Sequence, residues 1–234
     1  MKVRSPDPFS VLDDPKVVEV LRRLHQEASR QLPRLLAHYL PSLPGLWLGK
    51  PIEFRDEDAS GFYADKFIAL EPAQGAFCYQ TVRAIQARRV VEFGSSFGVS
   101  TIWLAAALRD GGSEGQVIGT ELVPSKAERA MAYLAEAGLD DYVDMRVGDA
   151  RSTLEALEGP VDFLLNDGFP GLALEIVHLL RPALRLGSIV LTDNVGTFPA
   201  NYRAYVNHMR DPSNGFASTL LPFKSGTEYS VLVR

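Results

Sequence analysis

Acidic and amide side chains recur at one kind of place in this chain, directly after a short apolar run and directly before a glycine or a turn. Glu92 precedes the turn Gly94-Ser95-Ser96-Phe97-Gly98, Glu121 closes the next run, and Asp149 lies between Gly148 and Ala150. Asn166-Asp167-Gly168 and Asp193-Asn194 close the two that follow. A single acid of this kind is ordinarily a helix cap, since Asp and Asn side chains satisfy free N–H groups. A series of them along one rim has a wider chemistry in reach. It supplies acceptors for the hydroxyls of a polar ligand and hard oxygen donors for a cation. Gly94 and Gly98 let the backbone turn sharply and come close to such a ligand. The helix opening at Val99 then aims its free N–H groups at the same spot.

A common rim requires parallel strands, and the pattern supplies them. Strands are expected at Val90–Phe93, Val117–Glu121, Val143–Val147, Val161–Asn166 and Ser188–Thr192. Helices are expected between them, at about 99–109, 124–137, 151–157 and 171–185. Another helix near 199–210 precedes the runs Ala217–Phe223 and Tyr229–Val233, which Ser225-Gly226 joins as an antiparallel hairpin. This is an α/β chain with a Rossmann-like, doubly wound, mostly parallel seven-stranded sheet, an antiparallel C-terminal strand and added N-terminal helices. Residues 1–66 are expected to form an arm and helices that cap the site, and 67–234 the main domain. Within the first part, 1–14 reads as a loose arm. Pro33 is expected to divide or kink the helical run from Pro15 to Leu40. Trp47 and Leu48 are expected to pack back on the body. His25 and His38 read as packing or solvated residues, Cys78 as a buried inert thiol, and Asp56-Glu57-Asp58 as a solvated acidic loop.

Composition narrows the function. The 234 residues carry a formal net charge of −5 with no basic run, which argues against nucleic acid as a partner. A single cysteine excludes an internal disulfide. No apolar stretch is long enough to span a bilayer, and the N-terminus lacks a signal-peptide core. A cytoplasmic protein with no membrane partner is the expectation.

An acid closing the second strand commonly accepts hydrogen bonds from both ribose hydroxyls of a nucleoside, which assigns that chemistry to Glu121. The turn at Gly94 lacks G-x-G-x-x-G spacing, so a dinucleotide is not the ligand. The ordered set Glu-x-Gly…Gly-x-Ser, Glu121, Gly148-Asp149-Ala150, Asp167 and Asp193-Asn194 resembles class I S-adenosylmethionine-dependent methyltransferases. It is closest to the cation-dependent O-methyltransferases typified by catechol O-methyltransferase. The likeness covers about residues 70–234, and Tyr202-Arg203-Ala204-Tyr205-Val206 and Gly226-Thr227-Glu228 extend it into the tail.

The resemblance implies roles residue by residue. Glu92, Gly94, Ser96 and Ser100 would surround the methionine part of S-adenosylmethionine, Glu121 the ribose, and Asp149 and Ala150 the adenine, with Asp167 also beside the cofactor. Asp167, Asp193 and Asn194 would bind Mg²⁺, or Ca²⁺ or Mn²⁺ in its place. Asp167 and Glu228 would serve catalysis, Glu228 by accepting from the hydroxyl that is not methylated. The implied substrate is a small vicinal dihydroxy-aromatic, catechol-like phenol, and the family habit implies a homodimer. One position departs from the pattern: Pro170 stands where the family usually has a lysine base. Lys66, Lys224 and His208 are the candidate replacements, each competing with a plain surface role. Phe169 is a candidate aromatic wall. Two other readings stay open, a metal-independent methyltransferase for another nucleophile and a non-catalytic S-adenosylmethionine-binding module.

Overall fold

A computed structural model describes residues 6–54, 56–157 and 159–234, with the backbone alone at 56 and 57. The strands are β1 (Arg89–Phe93), β2 (Gln116–Glu121), β3 (Val143–Val147), β4 (Val161–Asn166), β5 (Leu184–Thr192), β6 (Phe216–Leu221) and β7 (Thr227–Leu232). They form one sheet in the order β3-β2-β1-β4-β5-β7-β6. Every pairing from β3 to β5 is parallel, and β7 runs antiparallel to both β5 and β6. The expected mostly parallel sheet with one reversed strand is the sheet observed. Strand order reverses beside β1, so the crevice that receives ligands in such sheets opens at the ends of β1, β2 and β4.

The helices are α1 (Pro15–Tyr39), α2 (Leu43–Trp47), α3 (Asp56–Ser60), α4 (Pro72–Ala84), α5 (Val99–Asp110), α6 (Pro124–Ala137), α7 (Ala150–Thr153), α8 (Ala173–Leu180) and α9 (Arg203–Arg210). Proline opens α1, α4 and α6, where its missing N–H costs nothing. One core layer gathers α1, α4 and α5 around Ile102, Trp103 and Leu104, all fully buried. The other sets Leu164, Ile176, Val177 and Tyr205 between the sheet and helices α8 and α9. Strands β1 and β4 are buried on both faces, which explains their unbroken apolar runs.

Several local expectations are corrected. From residue 6 on, the arm is fixed, because Asp7 caps a 3-10 turn and Phe9 is buried against Trp103 with ring centroids 5.6 Å apart. Helix α1 continues through Pro33 as one element, so Pro33 does not divide the run. The helix expected at 171–185 stops at Leu180, where Arg181-Pro182 tightens the chain into a 3-10 turn and β5 begins early. Those expected at 151–157 and 199–210 shorten to α7 and α9. Trp47 and Leu48 do not fold back: they are 93% and 75% exposed. His25 is buried and accepts a hydrogen bond from Trp103 Nε1, and His38 stacks on Phe62, so both pack as expected. The acidic stretch expected as a loop is instead the start of the short helix α3, and its side chains at 56 and 57 lie outside the described residues.

Candidate active site

The turn after β1 closes by backbone contact. Gly94, at φ +92°, lies so close to the loop after β4 that a Cβ there would stand 2.7 Å from Gly168 Cα. A Cβ on Gly168 would in turn enter the Phe93 ring. Asp167 N–H donates to Phe93 O at 3.0 Å, which joins the two loops at the switch point. Glu121 is held just as firmly. Its Oε2 accepts from Ser96 N and its Oε1 from Val123 N, both at 2.8 Å. Ser96 adopts φ +49° to present that N–H, a conformation a serine holds only when its surroundings impose it.

A cleft opens over these loops. Gly94, Ser96, Glu121, Asp149, Ala150, Asp167 and Asn194 all line it. Asp149 caps α7 and pairs with Arg151, which holds its carboxyl below the usual range. Lys126, one turn into α6, is buried beside Ser96 (Nζ to Oγ 3.4 Å), and burial lowers its pKa. Nothing about Lys126 in the sequence marks it beyond its distance from Glu121.

Four expected site residues stand outside the lining. Glu92 is fully buried behind the turn, where its Oε2 accepts from Ser95 and Thr101, and burial raises its pKa. Ser100 is buried beside it. These two shape the glycine turn from behind. Asp193 faces α4: its Oδ1 accepts from Gln74 Nε2 (2.6 Å), Ser225 Oγ (2.6 Å) and Thr227 Oγ1 (3.1 Å). Gln74 is oriented for this by its own Oε1, which accepts from Glu71 N at 2.9 Å. Glu228 is the clear correction. Paired with Thr192, it lies on the α9 face of the sheet and is fully buried. Both its oxygens accept from Arg210 at 2.7 Å, and Ser218 adds a third bond, so it holds the sheet to α9 and does not reach the cleft.

The other wall is aromatic. Tyr39, Phe54, Tyr63, Phe169, Phe198 and Tyr202 line it. Phe54 contacts Phe169 and Phe198 at centroid distances of 5.9 and 5.4 Å, and the hydroxyls of Tyr39 and Tyr63 bond at 2.7 Å. Segment 51–54 is tied to this wall through Asn201, whose side chain bonds both N–H and C=O of Ile52. Among the candidate bases, none lines the cleft. Lys66 pairs with Asp65, exposed Lys224 leans toward Glu71, and His208 packs against His178. The pKa of Asp167 is raised well above its ordinary value by burial first, then by the nearby carboxylates of Asp193 and Glu92. Cys78, beneath these acids, is buried and its thiol pushed up, as an inert thiol should be.

Residues 91–195 match the family model of a methyltransferase domain. The chain is 39% identical over 129 residues to a catechol O-methyltransferase of Mycobacterium tuberculosis, a match spanning 55% of this chain and 57% of that protein. Residues 91–195 are therefore similar to a methyltransferase domain, and the chain resembles catechol O-methyltransferases over about half its length. The chain thus matches little more than half the length of that relative. Two solved structures share this methyltransferase fold over more of the chain. The cofactor-bound Rv0187 protein from MTB has 29% identity and a TM-score of 0.67, covering 76% of this chain and 87% of that one. An O-methyltransferase from Bacillus cereus in complex with SAH superposes with a TM-score of 0.64 at 24% identity, covering 76% and 88%.

The expected cation is tested by the donor set. Asp167 and Asn194 face the cleft, and Asp167 lies within the field of Asp193 without a compensating charge among the described residues. A divalent ion would relieve that repulsion, and the donors are hard oxygens, so the set fits in kind. Two details stand against full preorganisation. Asn194 turns its Nδ2 to Asp167 Oδ1 (3.3 Å), and Asp193 Oδ1 already accepts three bonds. Among the described residues, no group of three or more His, Cys, Asp or Glu side chains is placed to hold a metal.

Proposed function

We propose that the protein transfers a methyl group from S-adenosylmethionine to a hydroxyl of a small, catechol-like phenol with the help of a divalent cation. The observation that carries this is the cleft itself, with an anchored ribose-type acid at one end and an aromatic chamber beside a high-pKa carboxyl at the other. In this reading Glu121 accepts from the ribose hydroxyls with lone pairs its two backbone bonds leave free. Asp149 and Ala150 flank the adenine, and Gly94 and Ser96 border the methionine portion. Residues 67–234 form the catalytic domain, with 1–66 closing the acceptor side through Tyr39, Phe54 and Tyr63.

Bound there, S-adenosylmethionine would supply an electrophilic sulfonium methyl. Mg²⁺ held by Asp167, Asp193 and Asn194 would lower the acidity threshold of a bound phenol, whose ordinary pKa is about 10. The chain's own contribution is positioning and proton removal. Phe54, Phe169 and Phe198 grip the faces of a flat ring, and holding two reactants in line is a major source of rate. Asp167 is the cleft carboxylate whose pKa burial and the neighbouring carboxylates raise, and it would accept a phenolic proton where no cation holds it. In that cation-free case it would fill the role that Pro170 cannot. The protein is read as acting in the cytoplasm, as the family's small-molecule enzymes do, and a homodimer is part of the same proposal.

A second reading is favoured by the three donors on Asp193 Oδ1 and by the orientation of Asn194: methyl transfer without a cation. One assay separates the two. Labelled S-adenosylmethionine is offered with catechols, hydroxybenzoates and flavonoids, with Mg²⁺ and after chelation. Transfer to one hydroxyl that Mg²⁺ stimulates and chelation abolishes supports the first reading. Full turnover after chelation selects the second, and cofactor binding with no transfer to any phenol refutes both.

A further inference from the structure

One charged side chain in the cleft lacks a counter-charge. Lys126 is 5% exposed and sits in the first turn of α6, a turn that holds no acid. Three effects oppose a cation there. Burial disfavours an ammonium, the N-terminal end of a helix repels it, and nearby Lys66 adds a like charge. Little offsets them. Among the described residues its Nζ has one polar partner, Ser96 Oγ at 3.4 Å, and it stands 5.2 Å from the centre of the Phe97 ring. Glu121 and Asp65 attract it from farther off. Both are engaged elsewhere, Glu121 by two backbone N–H groups and Asp65 by Lys66. An ammonium has three donors, so two of them have no partner among the described residues. The side chain lines the cleft, where a ligand can reach it. A buried cation so placed calls for an anion from outside the chain.

We infer that Lys126 binds the carboxylate of the methionine part of S-adenosylmethionine. This role rests on the cofactor lying as proposed above, with Gly94 and Ser96 beside its methionine portion. In that reading the donor brings one carboxylate into the cleft, and the hydroxyl nearest Lys126 borders the end that carries it. A charge-assisted bond from an ammonium to a carboxylate is among the stronger hydrogen bonds, and more so where water is excluded. It would also give the site a preference. Glu121 can hold the ribose of any nucleoside, whereas Lys126 selects one that bears an amino-acid tail.

Calorimetric titration of the full chain with S-adenosylmethionine and with its decarboxylated analogue tests this role. The two ligands differ in the carboxylate alone. The wild type is expected to bind the analogue at least about tenfold more weakly. Lys126→Met is close in length and uncharged. It is expected to weaken S-adenosylmethionine binding by about 10- to 100-fold and analogue binding by less than about threefold. Lys126→Arg is expected to recover most of the loss. The melting temperature of Lys126→Met is expected to stay level or rise, since a buried charge is removed. Equal affinity of the wild type for the two ligands overturns the role of Lys126 without any variant. So does a folded Lys126→Met that keeps full affinity for S-adenosylmethionine, or that loses affinity for both ligands alike. A wild type that binds neither ligand refutes the cofactor reading itself, and the role of Lys126 with it.

Discussion

The two ends of the cleft are built by different means. At the donor end, backbone does the holding: Gly94 against Gly168, and Glu121 against two N–H groups. At the acceptor end, side chains from distant segments meet, with Tyr39 and Tyr63 from the N-terminal part, Phe169 after β4 and Phe198 after β5. Backbone contacts fix a site within a narrow tolerance. Side-chain walls can be repacked to suit another ring. On the proposed reading, this is why the donor end keeps the pattern of the methyltransferases the chain resembles and the acceptor end departs from it at Pro170. A cofactor of constant shape rewards the first construction, and a variable acceptor rewards the second.

Substitutions that break this contrast come first. Asp167→Asn keeps the shape but removes both the negative charge and the proton acceptor. Turnover is expected to fall by about 10³-fold or more with S-adenosylmethionine affinity little changed, measured by labelled transfer and calorimetry. Gly94→Val places side-chain atoms where Gly168 already stands, at a φ that valine avoids. Cofactor affinity is expected to drop by at least about 100-fold, read by calorimetry with circular dichroism as the check on folding. Glu121→Gln keeps the size but replaces one charged acceptor, and about a 10- to 100-fold loss of affinity is expected.

Two further changes probe what lies outside the cleft. Arg210→Met leaves the fully buried Glu228 carboxylate unpaired, whereas Glu228→Gln leaves a half-exposed arginine that water can solvate. The first is expected to cost about 3 kcal/mol in urea unfolding and the second clearly less, with cofactor binding intact in both. Equal loss of activity in both at full stability would return Glu228 to the reaction. A last effect concerns pH. Burial lowers the His25 pKa from 6.5 to about 4, so the folded protein binds this proton less readily than the unfolded chain. The stability it withholds is fully present above about pH 6.5 and is lost as pH falls toward 4. Urea midpoints of wild type and His25→Leu are expected to converge across that window, by up to about 3 kcal/mol.

How much of this could be read beforehand follows the same division. The strands, their order of acids and the glycine turn were legible, because each is a local pattern with a period and a stop. Glu121 and Asp149 could be assigned to the cleft because strand ends in a parallel sheet fall on one rim. Glu228 could not be placed, since one residue's shift of register along β7 decides whether a side chain faces the rim or α9. Gln74 was missed because its value lies in a bond to Asp193, 119 positions away. Trp47 and Leu48 were misjudged for a general reason: apolar character suggests burial but does not name what covers the residue.

The central claim is that donor and acceptor functions are separable along this cleft. Calorimetric titration of S-adenosylmethionine into the wild type, Glu121→Ala and Asp193→Ala tests it most directly, with Mg²⁺ present throughout. The account predicts a wild-type dissociation constant that Asp193→Ala changes by less than about threefold and Glu121→Ala raises by about 100-fold. Equal weakening by both substitutions, or none by Glu121→Ala, would contradict it.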